Sequence, residues 1–126
     1  MANRYAYALD TGADNGAMYA NLFAPDGSFG NAKGHDALAK LAWQHMPEQG
    51  PSYVKHFILN HAIEQTLKGV IGKEYIADVI FGEGRQPDAV TSAGVYHDDY
   101  VKTPAGWRFA TRRLNAEHIV MRSLSC

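Results

Sequence analysis

The chain is predicted to fold as α+β, with a helical layer packed on a mostly antiparallel sheet. Three observations carry that prediction. The first third is patterned at helical spacing, the chain from Pro51 onward consists of long β-rich runs, and the breaks between those runs are short and turn-like. A length of 126 residues suits a single domain, 1–126, with a core large enough to need no metal or disulfide staple. Hydrophobic residues at 46% and charged residues at 20% exclude wholesale disorder.

The elements follow in order. Arg4 to Leu9 is short and apolar, and Thr11-Gly12 is a helix stop. Asp14-Asn15 is expected to cap a second helix with Met18, Leu22 and Phe23 on one face. Pro25-Asp26-Gly27 reads as a turn into a short strand at Ser28-Phe29. A third helix opens near Gly34, places Leu38, Leu41, Ala42 and His45 on one face, and stops by Met46-Pro47. Four strands follow at Lys55–Leu67, Val70–Phe81, Ala89–Lys102 and Trp107–Leu114, separated by Lys68-Gly69, Gly82-Glu83-Gly84 and Thr103-Pro104-Ala105-Gly106. Strands this long in so small a domain bend, and a bent sheet roofed by helices makes a pocket.

Strict alternation along Lys55–Leu67 puts His56, Ile58, Asn60 and Ala62 on one face, and Phe57, Leu59, His61 and Ile63 on the other. Both faces carry apolar residues. Either loops cover the second face, or a second subunit does. A homodimer burying Phe57, Leu59 and Ile63 is the expectation, since exposed apolar patches mark interfaces.

Composition narrows the function classes. A formal charge of -1, from 12 basic and 13 acidic residues, excludes sequence-independent nucleic-acid binding. The single cysteine, Cys126, cannot close an internal disulfide, and no Cys/His spacing suggests a metal site. No apolar run approaches a membrane span and the first ten residues lack the apolar block of a signal peptide, so a cytoplasmic protein is expected. There is no G-x-S-x-G elbow, Walker loop or G-x-G-x-x-G, so no such signature points to another chemistry, and no cofactor is expected.

Two polar residues in apolar settings are the candidates for chemistry. Asp10 falls at the C-terminal end of the first helix, where the helix dipole disfavours a carboxylate. His56 sits within a strand beside Ile58, and Asn60 adds a polar group on the same face. A histidine oriented by an aspartate is a general acid–base dyad. Each residue also has a purely structural reading, as a solvated helix-end acid or a satisfied core histidine. His61 is assigned to the opposite face. Tyr5 and Tyr7 on helix one, and Tyr96 and Tyr100 on the 89–102 strand with Gly94 and Asp98, could aim phenols at an oxygen where charge develops. Tyr96 is expected to point inward with His56, Ile58 and Asn60.

Residues 4–29 (RYAYALDTGADNGAMYANLFAPDGSF), 56–64 (HFILNHAIE) and 94–114 (GVYHDDYVKTPAGWRFATRRL) together resemble SnoaL-like domains of the nuclear transport factor 2-like superfamily, in order and spacing over residues 4–114. The resemblance implies a cone-shaped α+β barrel, three helices against a curved sheet, with a ligand pocket between them and frequent dimerisation. Within this group scytalone dehydratase, bile-acid 7α-dehydratase and hexachlorocyclohexane dehydrochlorinase use an Asp–His pair, whose places correspond to Asp10 and His56. A polar residue five positions before the Asp lines the site in two of them, and Tyr5 holds that place. The chain departs from the pattern in its short first helix, in Tyr96 where scytalone dehydratase has an Asn, and in the 115–126 extension. The implied function is a cofactor-independent lyase or isomerase acting on a small cyclic polyketide, terpenoid or steroid-like molecule. Catalysis would fall to Asp10, His56 and Tyr5, and substrate contacts to Tyr96, Asn60 and Ile58. An epoxide hydrolase-type enzyme or a non-catalytic ligand-binding or dimerisation module on the same fold are the alternatives.

Overall fold

Helix α1, Ala2–Thr11, turns Tyr5, Ala8 and Leu9 inward at i, i+3, i+4 spacing and stops at Gly12, which takes φ 58° and donates its N–H to the Ala8 carbonyl at 3.0 Å. The protein is described by a computed structural model over residues 2–45, 53–81, 87–117 and 122–123. The expected stop at Met46-Pro47, the turn at Gly82-Glu83-Gly84 and Cys126 lie outside the described residues. After α1 come a four-residue α2 (Ala17–Ala20), strand β1 (Phe23–Phe29), the two-residue β2 (Ala32–Lys33) and α3 (His35–His45). The strands β3 (Tyr53–Thr66), β4 (Gly69–Phe81), β5 (Pro87–Thr103) and β6 (Gly106–Glu117) then build the sheet. Arg122–Ser123 (β7) pairs with β5.

The sheet runs β2-β1-β6-β5-β4-β3, antiparallel except where β1 lies parallel to β6. It is curved and unclosed, with the helices on its concave face. This is the expected α+β fold. Tyr5, Tyr19, Phe23, Tyr96 and Phe109 fill the layer between helices and sheet, and Leu38 and Ala42 of α3 are fully buried against them. Neighbouring rings in this layer lie 5.1–6.0 Å apart, Tyr5 meeting Tyr96 and Phe109 edge-to-face, as aromatic quadrupoles prefer.

Three local expectations are corrected. Asp14 and Asn15 do not cap α2: both adopt left-handed φ near 54°, and the N-cap is Gly16 at φ 86° without a side-chain cap. A Cβ at position 16 would run into the Ala39 carbonyl oxygen, so the close approach of α3 demands glycine there. The second helix accordingly ends at Ala20, and Phe23 opens a strand. Pro25-Asp26-Gly27 does bend the chain ahead of Ser28-Phe29, as expected, but inside β1: the register against β6 slips between Phe23 and Ser28, and a Cβ at Gly27 would lie 2.9 Å from that of Phe23.

The third correction bears on function. The β3–β4 register shifts between Leu59/Tyr75 and Ala62/Lys73, so Asn60 and His61 together face Glu74. Asn60 takes φ 54° to make this bulge. One extra residue exchanges the two faces of the strand beyond it. His61 and Ile63, expected on the outer face, turn to the concave side, while Asn60 is exposed rather than inward beside Ile58.

Candidate active site

The sheet order ends at β3, so backbone groups along its outer edge have no strand partner among the described residues. Helix α1 lies along this edge and ends with Asp10 beside His56. Asp10 holds the histidine twice: Oδ2 accepts the His56 backbone N–H at 3.1 Å, and Oδ1 lies 2.5 Å from Nδ1. The imidazole side chain is 6% exposed and the carboxylate 14%. A carboxylate can only accept, so Nδ1 carries the proton in this pair, and Nε2 is the nitrogen left to act as a base whenever the ring is neutral. Asp78, directly across the ladder on β4, brings Oδ1 to 3.3 Å from Nε2. The imidazole therefore sits between two carboxylates.

A cleft of about 350 Å³ opens beside the pair, bordered by Asn3, Tyr7, Thr11, Lys55, Phe57 and Ile58 together with the dyad. The structure thus brings Asp10, His56 and Ile58 to one place. Tyr5 and Tyr96 lie elsewhere, in the aromatic core, 1% and 3% exposed, with their hydroxyls 3.2 Å apart. The Tyr19 hydroxyl donates to that of Tyr5 at 3.3 Å, so these phenols satisfy one another instead of facing a ligand. Burial raises the pKa of all three. Tyr96 does point inward, as expected, but against Tyr5 and Phe29 rather than onto the cleft wall. The phenol that borders the cleft is Tyr7.

Sequence reasoning missed Asp78, although hairpin counting comes within one residue of it. Counting back from a tight turn at Leu67-Lys68 places residue 79 opposite His56, and the bulge moves that to Asp78. It also missed Arg112. This guanidinium is fully buried, donates from Nε and Nη2 to Asp98 at 2.7 and 2.8 Å, pairs with Glu74, and lies 4.1–4.2 Å from the rings of Tyr5, Tyr96 and Phe109. Two buried carboxylates share this one cation. Burial pushes Asp98 up to about 7 and lowers Arg112 to about 10. In the sequence, Arg112 stands in the alternating run FATRRL with nothing to mark it as internal.

Among the described residues no helix is long and apolar enough to cross a membrane. No curated protein matches the chain. Solved structures do. ActVI-ORFA from Streptomyces coelicolor superposes with a TM-score of 0.78 at 19% identity, over 94% of this chain and 91% of its own. Rv3472 from Mycobacterium tuberculosis, a protein of unknown function, gives 0.76 at 23%, over 94% of this chain and 73% of its own. A protein from Catenulispora acidiphila in complex with S-DNPA gives 0.71 at 22%, over 90% and 87%. At these identities the likeness establishes the fold. The SnoaL-like domain profile matches residues 1–113, and the chain therefore belongs to the SnoaL-like domain family.

Proposed function

We propose that the protein is a cofactor-independent lyase or isomerase in which His56, oriented by Asp10, removes an activated C–H proton from a small oxygenated ring substrate. The observation that carries this reading is the double grip of Asp10 on His56, through the backbone N–H and Nδ1. It fixes both tautomer and ring orientation, which a base needs and a merely solvated helix-end acid would not supply. The substrate class, a cyclic polyketide, terpenoid or steroid-like molecule, fits a cleft near the lower end of small-molecule sites, with Ile58 and Phe57 as apolar walls.

In the forward step Nε2 takes the proton and the C–H electron pair moves toward an adjacent carbonyl, giving an enolate-type oxyanion. The new imidazolium is balanced by Asp10. Asp78, 3.3 Å from Nε2, holds the longer of the two ring contacts, the one a substrate would replace. Tyr7 and Lys55 border the same cleft and supply donors for the oxyanion. Returning the proton to another carbon gives isomerisation. Delivering it to a departing hydroxide gives dehydration. We also propose that the molecule is a cytoplasmic homodimer, with the apolar residues of the convex face as its interface.

The test is a panel of ring-bearing hydroxy-ketones assayed with wild-type protein and His56→Ala. Turnover by wild type that His56→Ala loses supports the dyad. Saturable binding without turnover by either protein would replace it with a ligand-binding module, a role that the S-DNPA complex of the Catenulispora protein makes the natural second reading.

A further inference from the structure

The Asn60–His61 bulge delivers a second histidine to the concave face, well along β3 from the first. His61 Nε2 lies 2.8 Å from the Tyr100 hydroxyl and 3.1 Å from Glu74 Oε2. Tyr100 donates onward to Asp98 Oδ2 at 3.1 Å, and Asp98 and Glu74 both meet Arg112. Because the Tyr100 hydroxyl gives its hydrogen to Asp98, its oxygen accepts from His61, so Nε2 carries the proton, with Glu74 close by. Each hydroxyl and ring N–H along this path then has an acceptor, while Arg112 Nη1 has no hydrogen-bond partner among the described residues. Nδ1 is left as the basic nitrogen, with no hydrogen-bond partner among the described residues.

The cluster opens into a cleft of about 340 Å³ lined by His61, Ile63, Val70, Tyr100 and Trp107. Its base is rigid, since Glu74 and Arg112 are fully buried and Asp98 is 3% exposed. Its mouth is open: the His61 side chain is 30% exposed and Trp107 is 47% exposed. Gly72 makes room for this arrangement, because any Cβ there would collide with the Tyr100 hydroxyl. Two departures from regular strand, a left-handed Asn60 and a glycine where the ring of Tyr100 lies, converge on one polar group in an apolar cleft.

We propose that this cleft is a second ligand site, separate from the Asp10–His56 cleft, for a small aromatic alcohol whose ring lies against Trp107, Ile63 and Val70 and whose hydroxyl donates to His61 Nδ1. Burial, with Arg112 nearby, lowers the pKa of His61, which keeps the ring neutral and Nδ1 an acceptor at neutral pH. The charged and titratable groups facing it are Glu74, Asp98, Tyr100 and Arg112, which hold the imidazole from behind. An aliphatic ring would fill the volume, but Trp107 favours an aromatic face.

The probe is 2-naphthol, titrated calorimetrically and followed through the indole N–H signal of Trp107. Wild type should bind one equivalent and move that signal. His61→Ala should weaken binding about tenfold, the scale of one hydrogen bond to a desolvated acceptor, and naphthalene should bind wild type more weakly by about the same factor. His56→Ala should bind 2-naphthol as wild type does. Equal affinity in His61→Ala, or loss of binding in His56→Ala with retention in His61→Ala, overturns the proposal, as does the absence of saturation. Should His61→Ala fail to fold, the exposed Trp107→Ala carries the test: reduced affinity supports the site, and unchanged affinity overturns it.

Discussion

Asp10 ends a helix where the dipole opposes its charge, and it is compensated there by a backbone N–H and an imidazole rather than by solvent. Asp10→Asn keeps the shape and the backbone contact but presents an amide to Nδ1. Turnover should fall by roughly two orders of magnitude or more, as when a triad aspartate is lost, with little change in melting temperature. Kinetics and thermal melts on the same preparation check this, and retained turnover would remove the dyad from the mechanism. Asp98 makes an opposite kind of prediction. Its folded pKa of about 7 lies above the unfolded value of about 3.9, so the native state holds its proton over a wider range than the unfolded chain. That contribution to stability is complete below about pH 4 and is lost as pH rises toward 7. Asp98→Asn should flatten the dependence of melting temperature on pH within that window. Asp10 and His56 were legible because a charged or polar residue in an apolar run stands out. Arg112 and Asp98 were not, since their burial depends on strand pairing that no local pattern encodes.

Strand β3 shows how a single residue can redirect an element. Alternation correctly assigned His56, Ile58, Phe57 and Leu59 to their faces, and failed from Asn60 onward because one left-handed residue resets the parity. Asparagine tolerates that conformation and β-branched residues do not. Asn60→Val should therefore destabilise the protein by about 1–2 kcal/mol, whereas Asn60→Gly should be close to neutral. Chemical denaturation with unchanged m-values would measure both, and a harmless valine would argue against the bulge. The second helix was misread for a related reason: Asp and Asn favour helix N-caps and left-handed turns alike, and only the contact of Gly16 with α3 decides between them.

On the whole-molecule scale the convex face leaves Phe57 41%, Leu59 50% and Tyr75 52% exposed, neighbours across the β3–β4 ladder. A patch of that kind suits an isologous contact between two copies. Sedimentation should show a dimer at micromolar concentration that Leu59→Glu converts to monomer, and a clean wild-type monomer would sink the idea. Ile63, once grouped with this patch, belongs to the concave side, so Ile63→Glu should leave the association state unchanged. Helices before strands, with short breaks between long β runs, made the α+β layering readable, yet no periodicity revealed that the first strand pairs with the last long one. That pairing has a consequence for synthesis. Phe23 of β1 lies parallel to Phe109 of β6, so everything from α1 through Phe109 must leave the ribosome before β1 finds its neighbour. The β3–β4 and β4–β5 hairpins close between sequence neighbours and can form earlier, while the segment running from α1 to β1 waits. Asp10 rides on that waiting segment and His56 on an early hairpin, so the two halves of the dyad are brought together late in the birth of each molecule.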